Sequence, residues 1–210
     1  MYASVKLGIY RKIIDLEDIS QLSDYERAVT STFLIYQWKR TKAQRNFIKN
    51  IILNFVKKQI AMTNSVEYIR HLALFYYDDF FLKYLHILNV LNSEVALKVF
   101  FGLGWTLYIN KTNLTYWTSD NPFAIENITE IDQNEPHQIR EGCKIYFPLT
   151  PKICLLMYDL SFYEYPSRIL DTDIQNVIEK NKLQVDNSMR QIFSYDDISP
   201  ANEFTNSTHY

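Results

Sequence analysis

The hydrophobic period changes once along this chain, and that change limits the fold more than any other feature. Up to about residue 100, apolar side chains recur every three or four residues, as on one face of a helix. Beyond that point they alternate, in short runs rich in aromatic and β-branched residues. Helices followed by strands, rather than strands interleaved with helices, give an α+β architecture. We expect one α+β domain over residues 1–199, helical across 11–100, with a small antiparallel sheet and a C-terminal helix across 101–195 and a frayed tail at 200–210. The 4 glycines and 6 prolines among 210 residues are too few for a turn-rich all-β barrel.

Capping signals set the helix starts. Ser23-Asp24-Tyr25-Glu26 predicts a helix with Tyr25, Val29, Phe33 and Tyr36 at helical spacing. Thr41-Lys42-Ala43-Gln44 predicts a second, with Phe47, Ile48, Ile51, Ile52, Phe55 and Val56 on its apolar side. Asn64 or Ser65 caps a third through His71, Leu74 and Tyr77, and Phe81, Tyr84 and Leu88 continue that spacing to about Leu91. An aromatic stripe of this kind is expected in a core. Thr172-Asp173-Ile174-Gln175 predicts the last helix, about eighteen residues long, with Ile174, Val177, Ile178, Val185, Met189 and Ile192 on its stripe and Asn181 facing the core among them.

In the second half, Trp105–Ile109 and Leu114–Thr118, separated by Asn-Lys-Thr-Asn, predict a hairpin. Phe123–Ile125, Lys144–Leu149, Ile153–Tyr158 and Gln191–Tyr195 predict further strands, and the polar, acidic stretch 126–142 predicts a loop. Cys143 and Cys154 are expected reduced, in adjacent strands. The longest charge-free apolar run, Val99 to Asn110, is far short of the roughly 20 residues that span a bilayer. With no apolar leader visible, a cytoplasmic protein without membrane contact is expected.

Charge divides the chain as sharply as periodicity does. The formal net charge is −2, yet residues 1–100 carry 14 bases against 9 acids and residues 101–210 carry 8 against 15. No acid occurs between Glu26 and Glu67, an interval holding Arg27, Lys39, Arg40, Lys42, Arg45, Lys49, Lys57 and Lys58. Such a run either pairs with the acidic half or presents a positive patch to an anion. Lys42, Arg45 and Lys49 share one helical stripe, and Lys42 and Arg45 sit in first turns that favour negative charge. With Arg40 at the preceding helix's end, they are the candidate binders of a phosphate-bearing ligand or nucleic acid.

Ser119-Asp120-Asn121-Pro122 is the most distinctive local motif. Pro122 forces Asn121 into an extended conformation, and Asp and Asn side chains shape turns by bonding nearby amides. The motif is therefore either a structural turn or a rigid mount for Asp120 as a general base or divalent-metal ligand. In the catalytic version Asn121 and Asn181 orient Asp120; in the structural version Asn181 is a satisfied core amide. The cofactor stays open, with a divalent metal as the candidate. Other patterns fail. No glycine-rich phosphate loop or zinc-spaced Cys/His cluster is present, and Glu141-Gly142-Cys143-Lys144 has one residue too many for the acid-x-Lys element of metal-dependent nucleases.

Trp117-Thr118-Ser119-Asp120-Asn121-Pro122-Phe123, Tyr146-Phe147-Pro148-Leu149-Thr150-Pro151-Lys152 with Leu155-Leu156, and Ile35-Tyr36-Gln37 ahead of Arg40-Thr41 and Arg45 resemble, in this order, the uncharacterised family called domain of unknown function 4238. Asn181, Asn187 and Arg190 resemble its closing helix. Family members commonly open with a His-[His/Tyr]-x-Pro segment; this chain begins Met1-Tyr2-Ala3-Ser4 and has none, so it reads as a shortened form. The resemblance implies no activity, so it sharpens the site without naming a reaction. Two functions are expected from the whole: a hydrolase-like, nucleic-acid-directed enzyme of defence or mobile-element type, or a non-catalytic binding module with a structural turn.

Overall fold

A computed structural model describes residues 2–63, 65–127, 139 and 141–195. Six helices come first: α1 (Tyr2–Leu16), α2 (Asp24–Lys39), α3 (Lys42–Ala61), α4 (Val66–Tyr77), α5 (Asp79–Leu91) and α6 (Glu94–Gly102). Strands β1 (Gly104–Asn110), β2 (Thr118–Ser119), β3 (Ala124–Glu126), β4 (Lys144–Thr150), β5 (Ile153–Tyr158) and β6 (Ile169–Thr172) follow, then α7 (Ile174–Asn187) and β7 (Ile192–Phe193). This is the expected α+β order, with helical structure beginning earlier than residue 11. Among the described residues no helix is long and apolar enough to cross a membrane. The expected acidic loop at 126–142 lies largely outside the described residues, and the tail at 200–210 wholly so.

The caps form as their residues dictate. Ser23 and Glu26 close a reciprocal capping box, and Thr41 Oγ1 accepts the Gln44 N–H at 3.3 Å. Ser65 caps α4. The third helix of the sequence reading is two, because Asp78 Oδ1 accepts the N–H groups of Phe80 and Phe81 at 2.9 and 3.1 Å and starts α5 afresh. Much of its stripe is not core: Leu74, Tyr84, Leu88 and Leu91 are exposed, as are Ile51 and Phe55 of α3. At α7 the cap is Asp173, accepting from Asn176 N–H at 2.8 Å, and the helix has 14 residues rather than eighteen.

The main sheet has the order β3-β4-β5-β1-β6. It is antiparallel except at one edge, where β6 runs parallel to β1. Alternation puts Trp105, Leu107 and Ile109 of β1 with Ile153, Leu155 and Met157 of β5 on one face, against Ile9, Ile13, Leu34, Ile35 and Phe100 of the helices. Tyr108, Tyr146, Cys154, Leu156 and Tyr158 fill the other face, with Tyr116, which precedes β2, and Val177 of α7. At the start of β1, Gly104 faces the Tyr158 ring so closely that a Cβ there would overlap it.

The predicted hairpin does not form. β1 pairs with β5 and β6, and β2 pairs with β7. Asn110 instead folds the chain back locally: its Oδ1 accepts from Thr112 N–H at 2.9 Å and its Nδ2 donates to Leu114 O at 2.8 Å. Residues 114–117 then cross to α7. Cys143 directly precedes β4 rather than lying in a strand, Cys154 lies within β5, and both are buried and free. The register, which pairs Lys144 with Tyr158 and Pro148 with Cys154, keeps the two thiols at opposite ends of the ladder.

Candidate functional site

The Ser119–Pro122 turn is built from α7. That helix buries Val177, Asn181, Gln184 and Asn187, so its inward face is mostly amide rather than apolar. Asn181 Oδ1 accepts from Trp117 N–H at 2.9 Å and its Nδ2 donates to Thr115 O at 2.8 Å. Gln184 accepts from Ser119 Oγ–H at 2.9 Å and donates to Pro122 O at 2.7 Å. Asn121, 1% exposed, donates from Nδ2 to Asn187 O at 2.9 Å, while its buried Oδ1 has no hydrogen-bond partner among the described residues. The amides serve the irregular strand 115–122 as a neighbouring strand would serve a regular one. Gln184 and the main part of the Asn187 role escaped the sequence reading, which followed the apolar residues. The available signal was three amides at helical spacing, Asn181, Gln184 and Asn187.

Asp120 holds the chain that leaves α7. Its Oδ1 accepts from Met189 N–H at 3.0 Å and Arg190 N–H at 3.3 Å, and its own N–H donates to Gln191 O at 3.1 Å. Neither Asn121 nor Asn181 bonds to Asp120; each binds backbone elsewhere. Among the described residues, no group of three or more His, Cys, Asp or Glu side chains is gathered as metal ligands.

Arg190, fixed through that contact, lines a cleft of about 610 Å³. One wall is the α3 face Lys42, Arg45, Asn46 and Lys49; the other is the α5 face Leu82, Lys83, His86 and Ile87. Among the described residues, five cations and an imidazole surround the space and no carboxylate lines it. No acid lies in the first turn of α3, so Lys42 and Arg45 stand at the positive end of its dipole, an arrangement that a bound anion would relieve. His86 Nδ1 is buried and has no hydrogen-bond partner among the described residues. Burial and, second, the Arg45 charge hold this imidazole below its ordinary pKa.

The base-rich interval is therefore divided in its uses. Lys42, Arg45 and Lys49 line the cleft from α3, while Arg40 caps the end of α2 and is not among the described lining residues. Lys39 is 6% exposed and donates to Asn89 O and Asn92 O, both at 2.7 Å, closing the end of α5. Arg27 donates to the Leu103 and Phe101 carbonyls and lies 5.0 Å from the Trp105 ring. Neither a curated protein nor a solved structure matches the chain. The blocks that build this site, the Gln37–Arg45 helix junction, the Ser119–Pro122 turn and the amide face of α7, all fall inside residues 8–197, which match the family model described as Protein of unknown function (DUF4238), and the chain belongs to that family.

Proposed function

We propose that this protein is a binding module whose α3–α5 cleft takes a phosphate-bearing ligand, with the Ser119–Pro122 turn as the mount for Arg190. The observation that carries this reading is the lining: among the described residues it holds Lys42, Arg45, Lys49, Lys83, His86 and Arg190 and no carboxylate. Collecting Lys42, Arg45, Lys49 and Arg190 around one space is unfavourable unless a counter-charge enters it. Binding is favoured over bond cleavage at Asp120 because that carboxylate already accepts two backbone N–H groups. Asn121 and Asn181, the groups expected to orient it, are engaged elsewhere. Fluorescence anisotropy with a labelled oligonucleotide, repeated over a salt series, tests the reading. Affinity should fall steeply with salt, and Arg45→Ala and Arg190→Ala should each reduce the slope by roughly 1. Salt-independent binding, or binding that ignores both substitutions, would sink it.

A further inference from the structure

We infer that the ligand of the basic cleft is single-stranded nucleic acid, threaded along α5 with its bases on Phe80 and Tyr84. The inference rests on the phosphate-binding reading above and adds the polymer and its polarity of contact. On α5, Phe80, Tyr84, Ile87 and Leu91 follow one another at i, i+4, i+7 and i+11, so they form a single stripe. All four are exposed, Phe80 at 79% and Tyr84 at 50%. Ile87 belongs both to this stripe and to the cleft lining. The apolar stripe therefore meets the cationic space at Ile87. Cations that follow a backbone, beside solvent-facing rings, are the two elements that proteins use to hold unpaired strands.

Geometry selects among polyanions. A cleft of about 610 Å³ is within the range of small-ligand pockets, roughly 300–1,000 Å³. It admits a short piece of one flexible strand, whereas a duplex is a rigid rod whose phosphates lie on its outside and whose bases are stacked on one another. A lipid surface would meet the Phe80–Leu91 stripe, but Lys42, Arg45 and Lys49 project from α3 across the cleft rather than from the stripe's own face. An unpaired strand satisfies both surfaces together.

The test compares the wild-type chain with Phe80→Ala, Tyr84→Ala and Arg45→Ala against four probes: a labelled oligothymidylate, a duplex of equal phosphate number, inorganic pyrophosphate, and vesicles containing phosphatidylserine. The expected result is preference for the oligothymidylate over the duplex. Phe80→Ala and Tyr84→Ala should each weaken oligothymidylate binding by about tenfold, as loss of one stacked base does, and leave pyrophosphate binding and the salt slope unchanged. Both side chains are well exposed, so the variants should fold, and an unchanged melting temperature would verify it. Arg45→Ala should weaken both phosphate probes. Equal binding of strand and duplex, or indifference to the two ring substitutions, overturns the inference while leaving the phosphate cleft standing. Ring-dependent binding to the vesicles but not to the oligonucleotide overturns it in favour of a lipid surface. Failure of every probe removes the phosphate reading itself.

Discussion

Removing the Asp120 carboxylate would deprive the Met189 and Arg190 N–H groups of their acceptor at the point where the chain leaves α7. Leaving partly buried N–H groups without their acceptor costs about 1–3 kcal/mol. For a chain of this size that is a fall of about 2–4 °C in melting temperature for each kcal/mol. Asp120→Ala should therefore lower the midpoint by a few degrees and also weaken oligonucleotide binding, because Arg190 loses its mount. Asp120→Asn keeps an oxygen acceptor and should recover most of both losses. An Asp120→Ala protein with an unchanged midpoint would argue that the carboxylate is kept for chemistry instead. Arg190 also shows what one residue can carry beyond sequence: nothing in its neighbourhood, Ser188-Met189-Arg190-Gln191, marks it as a partner of Lys42 and Arg45, which are far away in the chain.

At the scale of elements, α7 acts as a hydrogen-bonding strip. Gln184 is 1% exposed, and replacing it with the similarly sized Met would leave Pro122 O without its donor and Ser119 Oγ without one acceptor. An unsatisfied buried polar group costs about 1–3 kcal/mol, so Gln184→Met should depress thermal stability by several degrees, measured by circular dichroism. Lys39→Met makes the complementary case. It removes both bonds to the end of α5 and should destabilise the fold, but Lys39 does not line the cleft, so oligonucleotide affinity and its salt slope should stay as they are. A lowered slope would mean that Lys39 contributes to the ligand site. These two helices explain which parts of the fold were legible in the sequence. Caps such as Ser23-x-x-Glu26 and strands β4 and β5 depend on neighbours in the chain or on simple alternation, and both are visible there. The Leu114–Thr118 segment has a strand's composition too, but its backbone bonds to the Asn181 side chain, more than sixty residues later, and to Pro151 O. Likewise the run Tyr77–Leu91 reads as one helix until Asp78 is seen to cap the next. Side chains that substitute for a partner strand leave no local periodicity to detect.

Across the whole molecule, the proposed phosphate site sets a titrating group beside the ligand it would hold. His86 on α5 faces Arg45, Lys42 and Lys49 from α3, Lys83 from its own helix and Arg190 from the segment after α7, all cationic. Burial first, and Arg45 second, depress its pKa below the ordinary value of about 6.5. The sign of the resulting linkage follows directly. In the free protein the unfolded chain binds the proton more readily, so the neutral imidazole contributes stability that is present above about pH 6.5 and is lost as pH falls through the depressed folded value. A phosphodiester in the cleft places negative charge beside the ring and raises its pKa in the complex. Binding then takes up a proton, and affinity must rise as pH falls between the pKa of the complex and that of the free protein, by at most tenfold per pH unit. Phosphodiesters do not titrate in this interval, so the dependence would belong to the protein. Oligonucleotide affinity measured from about pH 8 to pH 5 should therefore increase toward acid in the wild type and be nearly flat in His86→Gln, with the two converging at the alkaline end. The melting temperature should show the same linkage, with the ligand's stabilising shift growing toward acid only when His86 is present. A pH dependence that survives His86→Gln would place the titrating group elsewhere and remove His86 from the ligand's surroundings.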